Sequence, residues 1–214
     1  MSNKIYDFLT NPKVVKISII IAFITVFSAL IIGYIIAALF GSQGYNMIDN
    51  YISDMGSIKY TPFPYMRTIA NVVSGPFFLP ITFYMKKQLA SSEDQNISRG
   101  RLFLGNIGFA AMLVIFLGMV CTGIITEDVS MLIHIIIAII AISAGWITIF
   151  SYSILIIKYQ TEIHKNIGLY GLISLPTILI LVIIGFPSRI FYEWVYLLSF
   201  YFWLILCARN LLIS

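Results

Sequence analysis

Long apolar stretches separated by short polar ones form the basic pattern of this 214-residue chain. Six of these stretches are long enough to cross a bilayer as α-helices, which takes about 20 residues each. The predicted helices are residues 14–40, 65–86, 102–125, 131–157, 167–186 and 191–212. Barrel strands would alternate in polarity, and runs such as 135–140 do not. The pattern therefore predicts an all-α fold, a polytopic bundle of six transmembrane helices that makes residues 1–214 a single transmembrane domain.

The composition agrees with a lipid environment. Hydrophobic residues make up 60% of the chain, charged residues only 10%, and the mean hydropathy is +0.96. A soluble domain has about 25% charged residues, so these few charges could not cover a water-exposed surface. No basic cluster with interleaved aromatic residues is present, which argues against nucleic acid as a partner. We expect a multi-pass membrane location, in the cell membrane if the source is prokaryotic, with membrane lipids as partners.

Basic residues near the helix ends predict the orientation of the bundle, because they concentrate on the cytoplasmic side. Ten lie on the side of the two termini: Lys4, Lys13, Lys16, Lys86, Lys87, Arg99, Arg101, Lys158, Lys165 and Arg209. Three lie on the other side: Lys59, Arg67 and Arg189. Ten against three places the N and C termini in the cytoplasm.

The second helix carries a polar stripe. Arg67, Asn71, Ser74 and Phe78 follow each other at helical spacing and so share one face. A polar stripe on a membrane helix is expected to face the bundle, because charged groups facing lipid are costly. The prolines at 76 and 80 leave backbone carbonyls without their usual donors. These carbonyls either line a cavity or belong to an ordinary kinked helix.

The fourth helix carries a histidine near its outer end. Ser130 and His134 begin a stripe that continues through the small residues Ala138, Ala141 and Gly145. Small residues allow helices to approach closely, so His134 is predicted to point into the bundle. A histidine there is either an acid, base or ligand, or a structural residue bonded to a nearby carboxylate or carbonyl.

Acidic residues stand just before this helix and at the start of the last one. Glu127 and Asp128 form a tight turn, in which Asp128 or Thr126 could simply cap the fourth helix. Arg189 and Glu193 are four residues apart and are interpreted as a structural ion pair.

Neither a metal nor a cofactor is predicted. Catalytic zinc usually has three protein ligands, and the chain has two histidines, of which His164 falls in a predicted cytoplasmic loop. The sequence contains no zinc-protease, nucleophile-elbow, phosphate-loop or dinucleotide motif.

The segment that follows the first helix, Asn-Tyr-Ile-Ser-Asp-Met-Gly at 50–56, resembles a signature of certain six-helix membrane proteins. These are the damage-regulated autophagy modulators (DRAM), the Frag- and Sfk-type proteins, and bacterial and archaeal relatives known as a domain of unknown function. The similarity in layout covers about residues 14–212, including the acidic turn and the early histidine of the fourth helix. It singles out Ser53, Asp54, Gly56 and His134. Because related proteins act in GPI-anchor remodelling, phosphoinositide function and lipid asymmetry, the resemblance implies a lipid-related function.

Three hypotheses follow. The first is a lipid-binding or lipid-modifying protein with an outward-facing polar pocket, in which His134 and Asp54 act as acid and base and ligand contacts come from Ser53, Arg67, Asn71, Glu127 and Asp128. The second is a non-catalytic membrane scaffold or regulator, in which the same residues pin the first loop onto the bundle. The third is a small-solute transporter, which the helix kinks permit, although transporters usually place their polar groups near the bilayer midplane.

Overall fold

The structure of the protein is a computed structural model that describes residues 4–90, 98–185, 187–188 and 190–213. Its helices are α1 (Lys4–Leu9), α2 (Pro12–Phe40), α3 (Tyr65–Phe77), α4 (Leu79–Ala90), α5 (Arg99–Ile124), α6 (Glu127–Lys158), α7 (Lys165–Ile184) and α8 (Phe191–Ile213). Because α3 and α4 form one span, the described residues contain six helices long and apolar enough to cross a membrane. The predicted all-α fold with six transmembrane helices is thus confirmed. The short helix α1 was not predicted.

The first span begins where its local sequence favours a helix start. The side chain of Asn11 accepts a hydrogen bond from the backbone N–H of Lys13 at 2.9 Å, and Pro12 takes the first helical position. The helix then continues for 29 residues to Phe40. That length corresponds to about 44 Å. Since the hydrocarbon core is about 30 Å thick, α2 must tilt or extend beyond it.

The second span is interrupted at Phe78, between α3 and α4. The N–H of Phe78 is 3.2 Å from the carbonyl oxygens of both Ser74 and Gly75, and Pro76 has no N–H to donate. Gly75 and Pro76 line a shallow groove whose other residues are all apolar, because the kink faces the apolar surface of α5.

The fourth span starts earlier than predicted. Its first turn begins at Glu127, but the backbone of Ser130 is extended, with φ −162° and ψ 100°. Regular helix therefore starts at the predicted position, 131, and the preceding turn is a separate unit that carries Glu127 and Asp128. This break lets the two carboxylates point in directions that a continuous helix would not allow.

An aromatic cluster fills the centre of the bundle and joins four spans. The Phe78 ring stacks on Phe116 of α5 with centroids 4.5 Å apart and on Tyr201 of α8 at 6.0 Å. Phe23 of α2 meets Phe78 and Tyr201 edge-on at 5.4 and 5.9 Å. Aromatic pairs at these separations contribute about 0.5–1.5 kcal/mol beyond the area they bury. The outward faces carry exposed isoleucines suited to lipid, among them Ile17, Ile24, Ile31, Ile139, Ile140, Ile173 and Ile180.

The loop between α2 and α3 folds over one end of the bundle, which we call the loop end. Its anchors are Ile52 and Met55, each 1% exposed, and a 3₁₀ helix spans Ser53–Gly56. The indole N–H of Trp194 on α8 donates to the Asn50 carbonyl at 3.0 Å. The α5–α6 turn and the start of α8 lie at the same end, so the loop brings its polar residues against theirs.

Candidate functional site

A cavity of about 100 Å³ lies at the loop end, and we call it the loop-end cavity. Residues of the 3₁₀ helix and of α3, α5, α6 and α8 surround it. Its lining consists of Ser53, Gly56, Arg67, Thr68, Asn71, Gly118, Met119, Thr122, Thr126, Glu127, His134, Ala138, Ala141, Ile142, Glu193, Leu197 and Tyr201. The cavity therefore collects charged side chains from three separate helices, α3, α6 and α8, of a chain that has few charges.

On α3, the predicted polar stripe faces the interior. Asn71 is 7% and Ser74 0% exposed. The guanidinium Nη1 of Arg67 donates to Asn71 Oδ1 at 2.6 Å, and the Asn71 amide donates in turn to Thr122 Oγ1 at 3.4 Å. The Nε of Arg67 is buried and has no hydrogen-bond partner among the described residues. Arg67 is thus held in place at one nitrogen and keeps an unused donor at another.

On α6, His134 is fixed at one ring nitrogen and free to act at the other. Its Nδ1 lies 2.7 Å from the carbonyl oxygen of Ile125, and the residue is 7% exposed. A carbonyl only accepts hydrogen bonds, so Nδ1 carries a proton. The Nε2 lies 4.0 Å from Glu127 Oε1, and both side chains line the cavity. The predicted inward direction of His134 is therefore observed.

Small residues bring α5 and α6 close together below the histidine. A Cβ added to Gly118 would lie 2.7 Å from the Cβ of Ala141. Ala138 and Ala141 both line the cavity, as the stripe below His134 implies. Because these residues, together with Leu197, have no polar side-chain atoms, the deeper part of the cavity is apolar.

Glu193 is a lining residue that the sequence reasoning did not include in the site. Its Oε2 accepts a hydrogen bond from the backbone N–H of Ile52 at 3.1 Å, which connects α8 to the first loop. The expected partner, Arg189, lies outside the described residues. The sequence feature that could have identified Glu193 is its position in the first turn of an apolar span. A carboxylate there needs a polar partner or a water-filled cavity.

The 3₁₀ helix contributes Ser53 and Gly56 to the lining but not Asp54. Asp54 is 5% exposed and accepts from the Tyr51 N–H at 2.9 Å and from the Asn50 amide at 3.4 Å. Burial, followed by the nearby Glu127 carboxylate, raises the pKa of Asp54 from 3.8 to about 6, although these hydrogen bonds act in the opposite direction. Asp54 therefore stabilises the turn next to the cavity by these hydrogen bonds. It acts on the cavity only through its electrostatic interaction with the lining residue Glu127.

Asp128 also lies away from the lining. Its Oδ1 accepts from the Ser57 hydroxyl at 2.6 Å and its Oδ2 from the Ile58 N–H at 2.9 Å. Thr126 occupies the N-cap position of α6, but its side chain makes no capping hydrogen bond. The carboxylate next to the helix start thus fastens the first loop instead of capping the helix.

Five of the seven predicted site residues meet at one cavity, namely Ser53, Arg67, Asn71, Glu127 and His134. The arrangement combines an anion-binding guanidinium, two carboxylates and a histidine nitrogen able to accept a proton. Across the described residues, no three His, Cys, Asp or Glu side chains come close enough to hold a metal ion. The site is suited to binding a small polar group and to moving a proton.

Comparison with known proteins identifies a family. The model of the family described as "Protein of unknown function (DUF998)" matches residues 21–210, which include every lining residue of the loop-end cavity. No curated protein and no solved structure matches the chain. Since the match covers most of its length, this membrane-spanning helical chain belongs to the DUF998 family.

Proposed function

We propose that the protein binds a membrane lipid by its headgroup in the loop-end cavity. The observation that carries the proposal is the amphipathic lining. Charged groups of Arg67, Glu127 and Glu193 gather near the loop, while Ala138, Ala141 and Leu197 line the deeper part. A lipid has the same division, with a polar headgroup joined to apolar chains. A small polar solute would leave the apolar part of the cavity unsatisfied.

The energetic cost of placing charged side chains in membrane spans supports a ligand-binding role for the cavity residues. A charged side chain inside a membrane span is costly by at least a few kcal/mol and is usually retained for function. Arg67 donates one hydrogen bond from Nη1 to Asn71, and its buried Nε has no partner among the described residues. A guanidinium that only stabilised the fold would be expected to use its donors fully. A phosphate oxygen is the acceptor that such a group binds best.

The family resemblance of the 50–56 segment points in the same direction. If the protein is related to the DRAM, Frag and Sfk groups, a lipid function is the simplest shared one, and the segment supplies Ser53 and Gly56 to the lining. We also propose that the loop end faces away from the cytoplasm, since ten basic residues lie on the side of the termini and three on the other. The cavity would then serve the outer leaflet.

Lipid modification is the catalytic form of this proposal. His134 Nε2 would accept a proton from water or a hydroxyl at the bound headgroup, with Nδ1 held by the Ile125 carbonyl. We assign the partner carboxylate to Glu127, whose Oε1 is 4.0 Å away, in place of Asp54, which does not line the cavity. Arg67 would stabilise negative charge on the headgroup.

Native mass spectrometry of the purified protein tests lipid binding. We expect the wild type to retain about one lipid per chain, and Arg67→Gln to lose it because the guanidinium is gone. Lys59→Gln is the matched control, since Lys59 is an exposed cation at the same end and is not a lining residue. Retention of the same lipid by Arg67→Gln, or its absence from the wild type, would contradict the proposal.

A scaffold or regulator is the second candidate, and the fastening of the loop by Asp128 and Glu193 favours it. In that case Arg67→Gln and His134→Ala would lower the melting temperature in detergent and leave the lipid profile of the producing cells unchanged. The lipid proposal expects Arg67→Gln to change the lipid content, and this readout separates the two candidates because loss of a bound lipid also lowers the melting temperature.

A further inference from the structure

The charged side chains that line the loop-end cavity are one arginine and two glutamates, a set that does not suit a purely anionic ligand. Arg67 contributes one positive charge to the lining, while Glu127 and Glu193 contribute two carboxylates. Asp54 lies next to Glu127, close enough for the Glu127 carboxylate to raise the pKa of Asp54. A ligand with only a phosphate would bind Arg67 but would place further negative charge beside the two carboxylates. Like charges at this depth repel strongly because little water screens them.

Among the residues that the structure describes, neither carboxylate accepts a hydrogen bond from a lysine or an arginine. Glu193 Oε2 accepts only from the neutral Ile52 N–H, and Glu127 Oε1 lies 4.0 Å from a histidine whose Nδ1 is already engaged. Arg67 is close enough to Glu193 to attract it electrostatically, but its hydrogen bond goes to the neutral Asn71 and not to either glutamate. A cation that enters with the ligand would therefore complete the charge balance of the described lining.

Size and lining restrict the kind of cation. A cavity of about 100 Å³ corresponds to the liquid volume of about three waters, which restricts the bound part of the ligand to a compact group such as a phosphate joined to a short amine. A quaternary ammonium is usually bound by a cage of aromatic rings. Tyr201 is the one aromatic residue of this lining. Carboxylate oxygens, which accept hydrogen bonds, favour a primary ammonium that can donate them.

We propose that the ligand is a zwitterionic phosphoethanolamine headgroup, as in phosphatidylethanolamine, with its phosphate on Arg67 and its primary ammonium between Glu127 and Glu193. This inference rests on the proposed lipid function and names its substrate class. The guanidinium supplies a planar donor pair for the phosphate, and the two carboxylates neutralise the ammonium. The apolar residues below accept the beginning of the acyl chains.

The test places the purified protein in nanodiscs made of equal parts phosphatidylethanolamine, phosphatidylglycerol and phosphatidylcholine. Native mass spectrometry then identifies the lipid that stays bound. We expect the wild type to retain phosphatidylethanolamine, and Glu127→Gln to weaken this preference by about tenfold or more, because one carboxylate that pairs with the ammonium is removed. Asp49→Asn is the matched control, as it neutralises an exposed carboxylate of the first loop outside the lining.

Other outcomes separate this inference from the lipid function itself. Retention of phosphatidylglycerol that depends on Arg67 but not on Glu127 would overturn the zwitterionic ligand and leave lipid binding standing. Equal retention of phosphatidylcholine would overturn the primary ammonium. Binding of no lipid would contradict both proposals.

A second measurement needs no variant. In detergent, soluble phosphoethanolamine should raise the melting temperature of the wild type more than inorganic phosphate at the same concentration does, because a ligand that binds the native state stabilises it. An equal or smaller shift with phosphoethanolamine would overturn the proposal, even if Glu127→Gln failed to fold.

Discussion

The Nδ1 of His134 lies 2.7 Å from the carbonyl oxygen of Ile125, the residue that follows the end of α5. This single contact fixes the histidine ring relative to the α5–α6 turn and directs Nε2 toward Glu127 and the cavity. It joins the end of one span to the first turns of the next. The chemistry available at the cavity depends on it.

The contact determines the tautomer of His134. Since the carbonyl of Ile125 can only accept, the neutral imidazole must carry its proton on Nδ1. We expect nitrogen-15 NMR of histidine-labelled protein in detergent to give the chemical shifts of the Nδ1–H form for His134. His164, at the opposite end of the bundle, is the internal reference. Observation of the Nε2–H form would mean that Nδ1 does not donate to Ile125.

The raised pKa of Asp54 predicts a pH-dependent stability. Its pKa rises from 3.8 to about 6 on folding, so the folded state favours the protonated carboxyl. The contribution of Asp54 to stability is full below about pH 4 and is lost as the pH rises through 6. Asp54→Asn keeps an oxygen to accept the Tyr51 N–H. It should therefore melt higher than the wild type at pH 7, with a smaller difference at pH 4.

Thermal unfolding in detergent across this pH range measures the effect. Asp49→Asn is the control, because Asp49 is an exposed carboxylate of the same loop, and it should follow the wild-type curve. A parallel pH dependence for Asp54→Asn and the wild type would show that Asp54 does not titrate in this window.

Asp128→Ala tests the fastening of the first loop. The change removes acceptors for the Ser57 hydroxyl and the Ile58 N–H, and hydrogen bonds to a charged acceptor contribute about 1.5–3 kcal/mol each before solvent exposure reduces them. We expect a lower melting temperature and faster proteolysis between residues 41 and 64. Retained lipid should be little changed, since Asp128 does not line the cavity. Lipid loss without a stability change would place Asp128 in the binding site.

Two glycines of the membrane spans should respond in opposite ways to alanine. At Gly145 of α6 a Cβ would overlap the hydroxyl of Tyr196, which donates to Ile142 at 2.9 Å. Gly145→Ala should therefore destabilise the protein by about 1–3 kcal/mol. At Gly33 of α2 a Cβ would meet Met55 Sδ at 3.5 Å, an ordinary contact.

Gly33→Ala should consequently leave the melting temperature unchanged or slightly higher, because alanine favours a helix by about 1 kcal/mol. Thermal unfolding in detergent compares the two variants directly. An unchanged melting temperature for Gly145→Ala would mean that packing at Gly145 is looser than the contact with Tyr196 implies, and destabilisation by Gly33→Ala would mean that packing at Gly33 is tighter than the contact with Met55 implies.

Much of the candidate site could be predicted from the sequence, because the chain has few charged residues and its helices have a regular period. In a chain with so few charges, each polar residue near a span must face the interior, so the positions of Arg67, Asn71 and His134 followed from helical spacing alone. Glu193 was assigned to a neighbour on its own helix. Sequence spacing reveals partners within a helix, but the Ile52 N–H that binds Glu193 comes from a loop 141 residues away in sequence.

The six spans and their inward faces follow from the amino-acid sequence, because both depend on local hydrophobicity and helical period. The tertiary structure alone decided which acidic residues meet the cavity. The irregular backbone at Ser130 and the 3₁₀ helix at Ser53–Gly56 turn Glu127 toward the cavity, Asp128 toward the first loop, and Asp54 behind it. Glu127 and Asp128 are adjacent in the sequence, and both carry a carboxylate group. Only the packing of a distant loop against them gives them different environments.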